Sequence, residues 1–415
     1  MNVALPTDRE NARAESASGR SEELRSTASP LRVAYVVHTF HMGGLERFVS
    51  RMANHLDRTR FSPSVVCLGR NGDAAKWIEK QDVPIVEIGK RPGNDWRAIG
   101  KLARALRDLK ADIAHSHNWG TLVETAVARR RAGTAIHVHG ERGMELEDLR
   151  APAWRKKIRG LMMRWAFRRA NAVVAVAEAV RQRIVRQSGF QAEQIQIIPN
   201  GVDRPVAPRG PMARAVIRRS LDVADDAILV GSVGRLVPVK DFSLLIQAIG
   251  RLICGASDIH LVLVGDGPLR CQLQADAVSA GIADHVHVVG QQDAVGDWLA
   301  AMDIYVNSSL NEGMSQSVLE AMAAGLPLLV ADVGDSAAMV GGESGCGIVV
   351  PPGDIEAMST ALNELCADPD RRRTLGTRAI ARHQSRYAIE VMVAHYELLY
   401  EQLAAVAPRP AKSAT

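Results

Sequence analysis

The chain has 415 residues, of which 47% are hydrophobic and 23% charged, with a net charge of +5 and a pI near 9.0. This length is too great for one typical core and indicates two or three domains. The mildly basic balance suits anionic ligands or an anionic membrane but is too weak to indicate nucleic acid. Five scattered cysteines without a C-x-x-C pair argue against a disulfide framework or a zinc site.

The two ends of the chain are predicted to be disordered. Residues 1–30 are rich in Ser, Arg, Glu and Ala and lack the apolar segment of a signal peptide. Residues 407–415 form a second short tail. No apolar run approaches the length of a membrane span. We therefore expect a cytoplasmic protein, with peripheral contact to the inner face of the cytoplasmic membrane as an option.

From residue 32 onward, short β-branched apolar runs alternate with longer helix-patterned segments. The runs that predict strands cover 32–38, 62–68, 83–88, 112–117, 135–140, 171–177, 195–200, 227–234, 259–265, 284–290, 303–309, 326–332 and 347–350. Strands that are apolar on both faces, with helices between them, predict parallel sheets covered on both sides.

Thirteen strands would be unusually many for one doubly wound sheet, and proline and glycine cluster at 200–212. We therefore predict an α/β protein with two Rossmann-like domains, 31–205 and 206–385, that face each other across a cleft. A helix over 386–406 is predicted to pack back on the N-terminal domain. Ligands of such folds bind outside the carboxyl ends of the strands, which makes the cleft the predicted site.

The stretch GSVGRLVPVKD (231–241) joins a strand to a helix that begins near Asp241. It places Arg235 and Lys240 beside the amides of a helix N-terminus, a combination that suits a diphosphate. Two solvated basic side chains in a loop are the simpler alternative. VGDGPLR (264–270) is a second strand-to-helix turn, whose glycines allow a tight backbone.

The stretch NEGMSQSVLEA (311–321) follows another strand and carries two carboxylates, Glu312 and Glu320. Ser317 and Glu320 fit an S-x-x-E capping box, which would make them structural. That box leaves Glu312 unexplained in a strand-end loop, where active-site groups belong. Glu320 is also placed to reach the hydroxyls of a ligand whose phosphate lies on the helix-start amides. The residues alone leave function and structure evenly matched.

The stretch FHMGGLERF (40–48) is a strand-to-helix loop in the first half of the chain. It has neither the G-K-[ST] of a P-loop nor the G-x-G-x-x-G of a dinucleotide fold, which disfavours a nucleotide-dependent oxidoreductase. Gly43 and Gly44 either allow close approach to a substrate or simply form a tight turn.

The stretch HVHGERG (137–143) ends a strand with several polar side chains around two glycines. A single histidine at a strand end is more often structural than catalytic, but three polar groups together favour a site. The candidates that this stretch offers to the cleft are His139, Glu141 and Arg142, with His115 and His117 as weaker candidates on another strand.

The one D-x-D sequence, Asp368-Pro369-Asp370, must be weighed because such a pair can hold a metal on a sugar nucleotide. It lies between two helical patterns, where aspartates cap and proline begins a helix. We interpret it as structural and predict no metal.

Residues 151–170 (APAWRKKIRGLMMRWAFRRA) predict a basic helix. Trp154, Ile158, Leu161 and Trp165 recur at helical spacing among seven arginines and lysines. We interpret it as an ordinary packed helix with a solvated basic side. A face that lies on anionic lipid is the alternative.

Taken together, these stretches resemble the retaining glycosyltransferases of family 4, which have the GT-B fold. The matching elements are GGLE, IIPNGVD, VGRLVPVKD, LVGDGPLR, EGMSQSVLE, AMAAGLPLLVAD and DPDRRRTLG, in family order from residue 32 to about 385. Each is weak alone, but the ordered set is specific. HGERG resembles a branch linked to bacterial exopolysaccharide assembly.

The resemblance implies transfer of a sugar, without a metal or other cofactor, from a nucleoside diphosphate to an acceptor hydroxyl. UDP and GDP are the expected nucleotides, and a glycan or a lipid-linked molecule is the expected acceptor. The implied catalytic residues are Arg235, Lys240, Glu312 and His139. The implied donor site comprises Gly234, Arg235, Lys240, Gly265, Gly313, Met314, Ser315, Gln316, Ser317 and Glu320. The implied acceptor site comprises Gly43, Gly44, His139, Glu141 and Arg142.

Two alternatives remain at this stage. A sugar-nucleotide epimerase also uses two Rossmann-like domains but needs no acceptor. A non-catalytic nucleotide-sugar sensor or partner subunit would bind a donor without turning it over. The presence of Glu312, Arg235 and Lys240 argues against the second alternative.

Overall fold

A computed structural model of the chain describes residues 29–41, 43–91, 93, 95–143, 152–205, 210–253, 258–341 and 345–407. The two predicted disordered tails lie almost entirely outside these ranges. Within the described ranges, no helix has both the length and the apolar character needed to cross a membrane.

The first domain is built on a seven-stranded parallel sheet in the order β3-β2-β1-β4-β5-β6-β7. Its strands are β1 (Leu31–Val37), β2 (Phe61–Cys67), β3 (Ile85–Glu87), β4 (Ile113–His117), β5 (Ile136–Glu141), β6 (Ala172–Ala175) and β7 (Ile195–Ile197). Its helices are α1 (Gly44–His55), α2 (Trp96–Asp108), α3 (Trp119–Ala132), α4 (Ala153–Phe167) and α5 (Glu178–Ser188).

The second domain is built on a six-stranded parallel sheet in the order β10-β9-β8-β11-β12-β13. Its strands are β8 (Ile228–Val233), β9 (Ile259–Val264), β10 (Val286–Gly290), β11 (Ile304–Asn307), β12 (Leu328–Ala331) and β13 (Gly347–Val350). Its helices are α6 (Ala213–Ser220), α7 (Phe242–Ile253), α8 (Arg270–Ser279), α9 (Val295–Ala301), α10 (Gln316–Ala323), α11 (Ser336–Val340), α12 (Ile355–Ala367) and α13 (Pro369–Arg382).

The predicted fold class is confirmed, and each of the thirteen predicted strands is present. The central strands β4, β9, β11 and β12 are buried along their whole length. Helices cover both faces of each sheet, so both sets of alternating side chains on these strands meet apolar neighbours. This explains why the strand segments read as continuous apolar runs rather than as alternating ones.

The Asp-Pro-Asp sequence behaves as the cap that its residues predict. Asp368 precedes α13 and its carboxylate accepts a hydrogen bond of 2.8 Å from the Arg371 amide. Pro369 is the first residue of that helix, where its missing N–H is not needed.

The last helix, α14 (Ile389–Val406), packs on the first domain. Its residues Met392, Tyr396 and Tyr400 are buried in one apolar cluster with Phe48 and β1. After the second domain the chain thus crosses back to the first, and α14 is a covalent link between the two domains.

Arg142, at the carboxyl end of β5, anchors this helix to the first domain. Its guanidinium donates to the Tyr396 hydroxyl over 2.8 Å and to the Asn200 side chain, and it lies over the Phe48 ring. Burial lowers the pKa of Arg142, yet an arginine keeps its charge in such a setting. Among the described residues, the partners of this buried charge are hydrogen-bond acceptors and aromatic faces.

Helix α4 corrects one interpretation. The apolar residues at helical spacing were expected to pack inward, but Trp154, Ile158 and Leu161 are 60%, 50% and 62% exposed. The side that faces the core consists instead of Gly160, Met163, Ala166 and Phe167. Both sides of the helix are apolar, so helical spacing alone could not tell which one is buried.

We predict that Arg142→Ala lowers the free energy of unfolding by about 3 kcal/mol, because it leaves the buried Asn200 and Tyr396 groups without their charged donor. Urea unfolding followed by circular dichroism measures this change. Arg104→Ala, on the exposed side of α2, is the matched control. A loss in Arg142→Ala no larger than in the control would contradict the anchoring role.

Candidate active site between the two domains

The loops that follow β8 and β11 are joined to each other at the carboxyl edge of the second sheet. The Leu310 amide donates to the Val239 carbonyl and the Ser308 hydroxyl to the Lys240 carbonyl, each over 2.8 Å. Lys240 forms an ion pair with Glu312, whose carboxylate also accepts a bond of 2.9 Å from Ser309. Two predicted catalytic residues therefore lie in direct contact.

Arg235 lies in the same β8 loop and is exposed. Gly234 and Gly265 bring the β8 and β9 loops together, since the Gly234 amide donates to the Val264 carbonyl over 2.9 Å. Gly265 has a φ of +143°, and a β-carbon there would run into the Gly234 carbonyl. A glycine is required at this contact, which keeps the β9 loop close to the loop that carries the two cations.

Helix α10 begins at Gln316, with Ser315 as the residue before its first turn. The predicted capping box is wrong. Ser317 lies inside the helix, its hydroxyl is 3.2 Å from that of Ser315, and no side chain caps the helix start among the described residues. The carboxylate of Glu320 is therefore not used to hold the helix start, and its partner comes from elsewhere.

That partner is Arg51 on α1 of the first domain. Its guanidinium donates to Glu320 over 2.8 Å, to the Gln316 side chain over 2.7 Å and to Asp203 over 3.1 Å. The arginine is only 7% exposed. His55 forms a second contact of 3.0 Å with Asp203, and its pKa is raised mainly by that hydrogen bond. Arg51 thus links the first domain to Glu320 of the second domain, the carboxylate predicted to bind a ribose.

The predicted glycine pair of the first domain faces α10. The carbonyl of Gly44 accepts a bond of 2.6 Å from the Gln316 side chain. Gly43 is the extended residue just before α1. The two domains also approach at Gly313, where a β-carbon would lie 2.8 Å from the Arg142 carbonyl oxygen. Glycine at position 313 therefore allows the backbones of the two domains to meet there.

Two further contacts hold the domains in register. The Asp335 carboxylate of the second domain accepts bonds of 3.0 and 2.9 Å from the amides of Glu178 and Ala179, the first residues of α5. A carboxylate at a helix N-terminus is favourable in charge and in hydrogen bonding. Met314 is 8% exposed, and its sulfur lies 3.3 Å from the Asn200 amide.

The remaining first-domain candidates lie deeper. His139 is fully buried, with Nδ1 2.8 Å from the Ser116 hydroxyl and Nε2 3.5 Å from the Glu141 carboxylate. Glu141 is 4% exposed and lies 3.6 Å from Arg183. Together with the guanidinium of Arg142, these groups form a polar layer beneath the cleft. His139 and Glu141 are buried, and Arg142 is only partly exposed.

A group of buried histidines extends this layer. Burial lowers the pKa of His115, His117 and His137 well below the usual range, so they are neutral at physiological pH. Nδ1 of His115 lies 2.7 Å from the Tyr400 hydroxyl. Nε2 of His137 lies 2.8 Å from the Ser116 hydroxyl. His115 and His137 thus have structural partners, and as neutral groups they add no charge to the cleft.

Cationic and anionic groups therefore lie together at the carboxyl edge of the second sheet. Arg235, Lys240 and the free amides at the start of α10 can hold an anion such as a diphosphate. Glu312 and Glu320 can accept hydrogen bonds from hydroxyl groups. Sequence reasoning missed Arg51, because it lies within an ordinary amphipathic helix pattern and nothing local distinguishes it from a surface arginine.

Known proteins are similar to this chain in sequence and in fold. A family model described as Glycosyltransferase Family 4 matches residues 42–204, and one described as Glycosyl transferases group 1 matches residues 227–368. EpsF of Bacillus subtilis, which is named as a glycosyltransferase, is 25% identical over 316 residues, 74% of this chain and 80% of its own length.

Two further matches cover most of the chain. The UDP-Gal:alpha-D-GlcNAc-diphosphoundecaprenol alpha-1,3-galactosyltransferase of Escherichia coli is 24% identical over 360 residues, 83% of this chain and 90% of its own length. The crystal structure of Anabaena HepE in complex with UDP and glucose has a TM-score of 0.77 at 20% identity and covers 91% of this chain and 100% of HepE. The chain is therefore a glycosyltransferase with the GT-B fold, and its two halves resemble the glycosyltransferases of family 4 and group 1.

Proposed function

We propose that the protein transfers a hexose from a UDP-sugar to an acceptor hydroxyl, with retention at the anomeric carbon and without a metal, in the synthesis of an exopolysaccharide or another cell-surface glycan. The observation that carries the proposal is the joining of the β8 and β11 loops. This arrangement puts Arg235, Lys240, Glu312 and the start of α10 at one edge, opposite Gly44 of the first domain.

The donor nucleotide is inferred from the relatives. HepE has been crystallised with UDP and with UDP-glucose, and the E. coli relative is named for UDP-Gal. That same name includes a diphosphoundecaprenol-linked sugar, which supports a lipid-linked acceptor. GDP remains the competing nucleotide, to be tested beside UDP.

In the proposed reaction the bond between the anomeric carbon and the diphosphate oxygen breaks, and the leaving diphosphate keeps the electron pair. The acceptor oxygen forms the new bond on the same face of the sugar, and its proton passes to the leaving phosphate. Negative charge grows on the diphosphate as the sugar becomes oxocarbenium-like. Arg235, Lys240 and the α10 amides stabilise that charge, the type of contribution that is commonly the largest in such sites.

The ion pairs of the proposed donor-binding residues have a consequence for binding. Lys240 is paired with Glu312, and Arg51 with Glu320, so each proposed donor contact starts from an existing partner. When the donor binds, its diphosphate would accept a hydrogen bond from Lys240, and the sugar hydroxyls would donate to Glu312. Two contacts with the donor would thus replace the Lys240–Glu312 ion pair. For Glu320 the ribose must displace the arginine or share the carboxylate with it.

Lys240→Ala and Arg235→Ala are each expected to lower kcat about 100-fold or more, because each removes a positive charge from the leaving diphosphate. Release of UDP from a UDP-sugar in the presence of acceptor and a chelator measures the rate. Arg251→Ala, exposed on α7 of the same domain, is the control. Near-normal rates in both variants would contradict the leaving-group assignment, and an isomerised UDP-sugar formed without acceptor and without UDP release would favour an epimerase.

Arg51→Ala is expected to bind UDP at least about fivefold more tightly, because the ribose hydroxyls no longer have to displace the buried guanidinium from Glu320. Isothermal titration with UDP and GDP gives the affinities. Glu320→Gln should bind UDP more weakly, and Arg58→Ala, whose partner Asp82 lies outside the site, should match the unaltered protein. Weaker UDP binding in Arg51→Ala would instead make the arginine part of the donor site.

We propose further that α4 rests on an anionic membrane surface, which would bring a lipid-linked acceptor to the cleft at the inner face of the cytoplasmic membrane. Trp154, Ile158 and Leu161 are each at least half exposed, and Trp165 is 39% exposed. Cations surround this apolar stripe, and the Arg155 and Arg169 guanidinium groups lie 5.1 and 4.2 Å from the centres of the Trp154 and Trp165 rings. Exposed apolar side chains ringed by cations are typical of interfacial helices.

A variant with Trp154→Ser and Leu161→Ser should lose most of its binding to vesicles of phosphatidylglycerol, because it removes two of the most exposed apolar contacts on the helix. Co-sedimentation measures the bound fraction. Trp96→Ser is the matched control, since Trp96 is 70% exposed on α2. Equal loss in the control, or equal binding to neutral vesicles, would contradict the membrane proposal.

A further inference from the structure

Four side chains with metal-ligating atoms meet at the amino ends of β9 and β10. Asp258 directly precedes β9 and His260 is its second residue, while His285 and His287 flank the first residue of β10. Both pairs have the spacing i, i+2, which puts each pair on one face of its strand. Because β9 and β10 are neighbours in the parallel sheet, the two pairs lie side by side.

Three of these groups have possible ligand atoms close to one another. One ligand atom each of Asp258, His260 and His285 lies within 4.8 Å of the other two. The Asp258 carboxylate is 3.0 Å from Nε2 of His260, and Nδ1 of His260 is 3.1 Å from Nε2 of His287. The rings of His260 and His285 have centroids 4.8 Å apart.

The orientation of His285 supports the same conclusion. Its Nδ1 lies 3.0 Å from the Ile259 carbonyl, to which it donates a hydrogen bond. This bond places the proton on Nδ1 and leaves the Nε2 lone pair for a ligand. Metal-bound histidines commonly have their other nitrogen fixed in this way by a carbonyl or a carboxylate. His260 can be fixed likewise if it donates from Nδ1 to His287.

We propose that Asp258, His260 and His285 form a zinc site, with His287 as the outer hydrogen-bond partner that orients His260. Two imidazole nitrogens and one carboxylate oxygen are a ligand set that zinc commonly uses, whereas calcium and magnesium prefer oxygen alone. Asp258 is exposed, so an ion can reach the site from solvent, and a water molecule can take the fourth position.

The site is separate from the donor cleft. It lies at the amino edge of the second sheet, whereas Arg235 and Glu312 lie beyond the carboxyl edge, and the six residues of β9 span about 20 Å between these edges. The proposed zinc would link the starts of two neighbouring strands and stabilise the second domain. It would take no part in sugar transfer, so its test does not depend on activity.

The test is titration of chelator-treated, full-length protein with zinc sulfate, followed by calorimetry and by thermal unfolding. The unaltered protein is expected to bind one ion per chain with a rise in Tm of several degrees, since an ion that binds only the folded state stabilises it. His285→Ala and Asp258→Asn should abolish this binding. His287→Ala should weaken it about 10- to 100-fold, as expected of an outer partner.

One control variant and one check of folding accompany these measurements. His395→Ala, an exposed histidine on α14, should bind zinc as the unaltered protein does. Asp258→Asn keeps its size at an exposed position, so it should retain the fold, which circular dichroism checks. The proposal is overturned if the unaltered protein binds no zinc, or if His285→Ala and Asp258→Asn keep the full stoichiometry. The four side chains would then form only a hydrogen-bonded cluster.

Discussion

The position of one guanidinium determines how the cleft of this protein is built. Arg51 leaves α1 of the first domain and reaches Asp203, Gln316 and Glu320, so that a single buried cation is shared by both domains. An almost fully buried cation must be paired, since an unpaired charge in such a position costs several kcal/mol. The two domains therefore have to remain close for as long as Arg51 stays in this position, and the carboxylate proposed to hold the ribose is part of the contact.

The other domain contacts have the same character. Asp335 caps α5 across the interface, Gln316 reaches the carbonyl of Gly44, and Gly313 lies against the backbone of Arg142. These are directional bonds and close backbone contacts, and most of them involve residues in or next to the proposed donor site. A ligand that binds there competes with domain contacts or adds to them. If the proposed donor binds there, its binding would be coupled to the contacts between the domains, as expected where closure excludes water from a reaction.

The proposed surfaces are distributed over different parts of the fold. The donor loops are at the carboxyl edge of the second sheet, the histidine cluster is at its amino edge, and the exposed stripe of α4 belongs to the first domain. In the proposed function, the second domain would hold the donor, and the first would present the acceptor and lie on the membrane. Arg142 joins the end of β5 to α14 and so holds in place the helix through which the chain returns to the first domain.

The sequence alone determined the elements and the loops that follow them. Buried parallel strands read as continuous apolar runs, so all thirteen could be located, and Lys240 and Glu312 could be named as candidates in the loops after β8 and β11. Such features depend on side chains a few residues apart and on the rule that ligands bind at one edge of a parallel sheet. The Asp368 cap is predictable for the same reason.

Only the tertiary structure decided which partners these side chains have. Glu320 was placed in a capping box by its local spacing, yet it pairs with Arg51, 269 residues away. His139 and Arg142 looked like cleft residues because they end a strand, but packing of α14 and of neighbouring strands encloses them. Helical spacing located the apolar stripe of α4 without showing that the opposite face is buried. Local patterns reflect hydrogen bonding and periodicity along the chain, whereas charge pairing and burial depend on surfaces that meet only after folding.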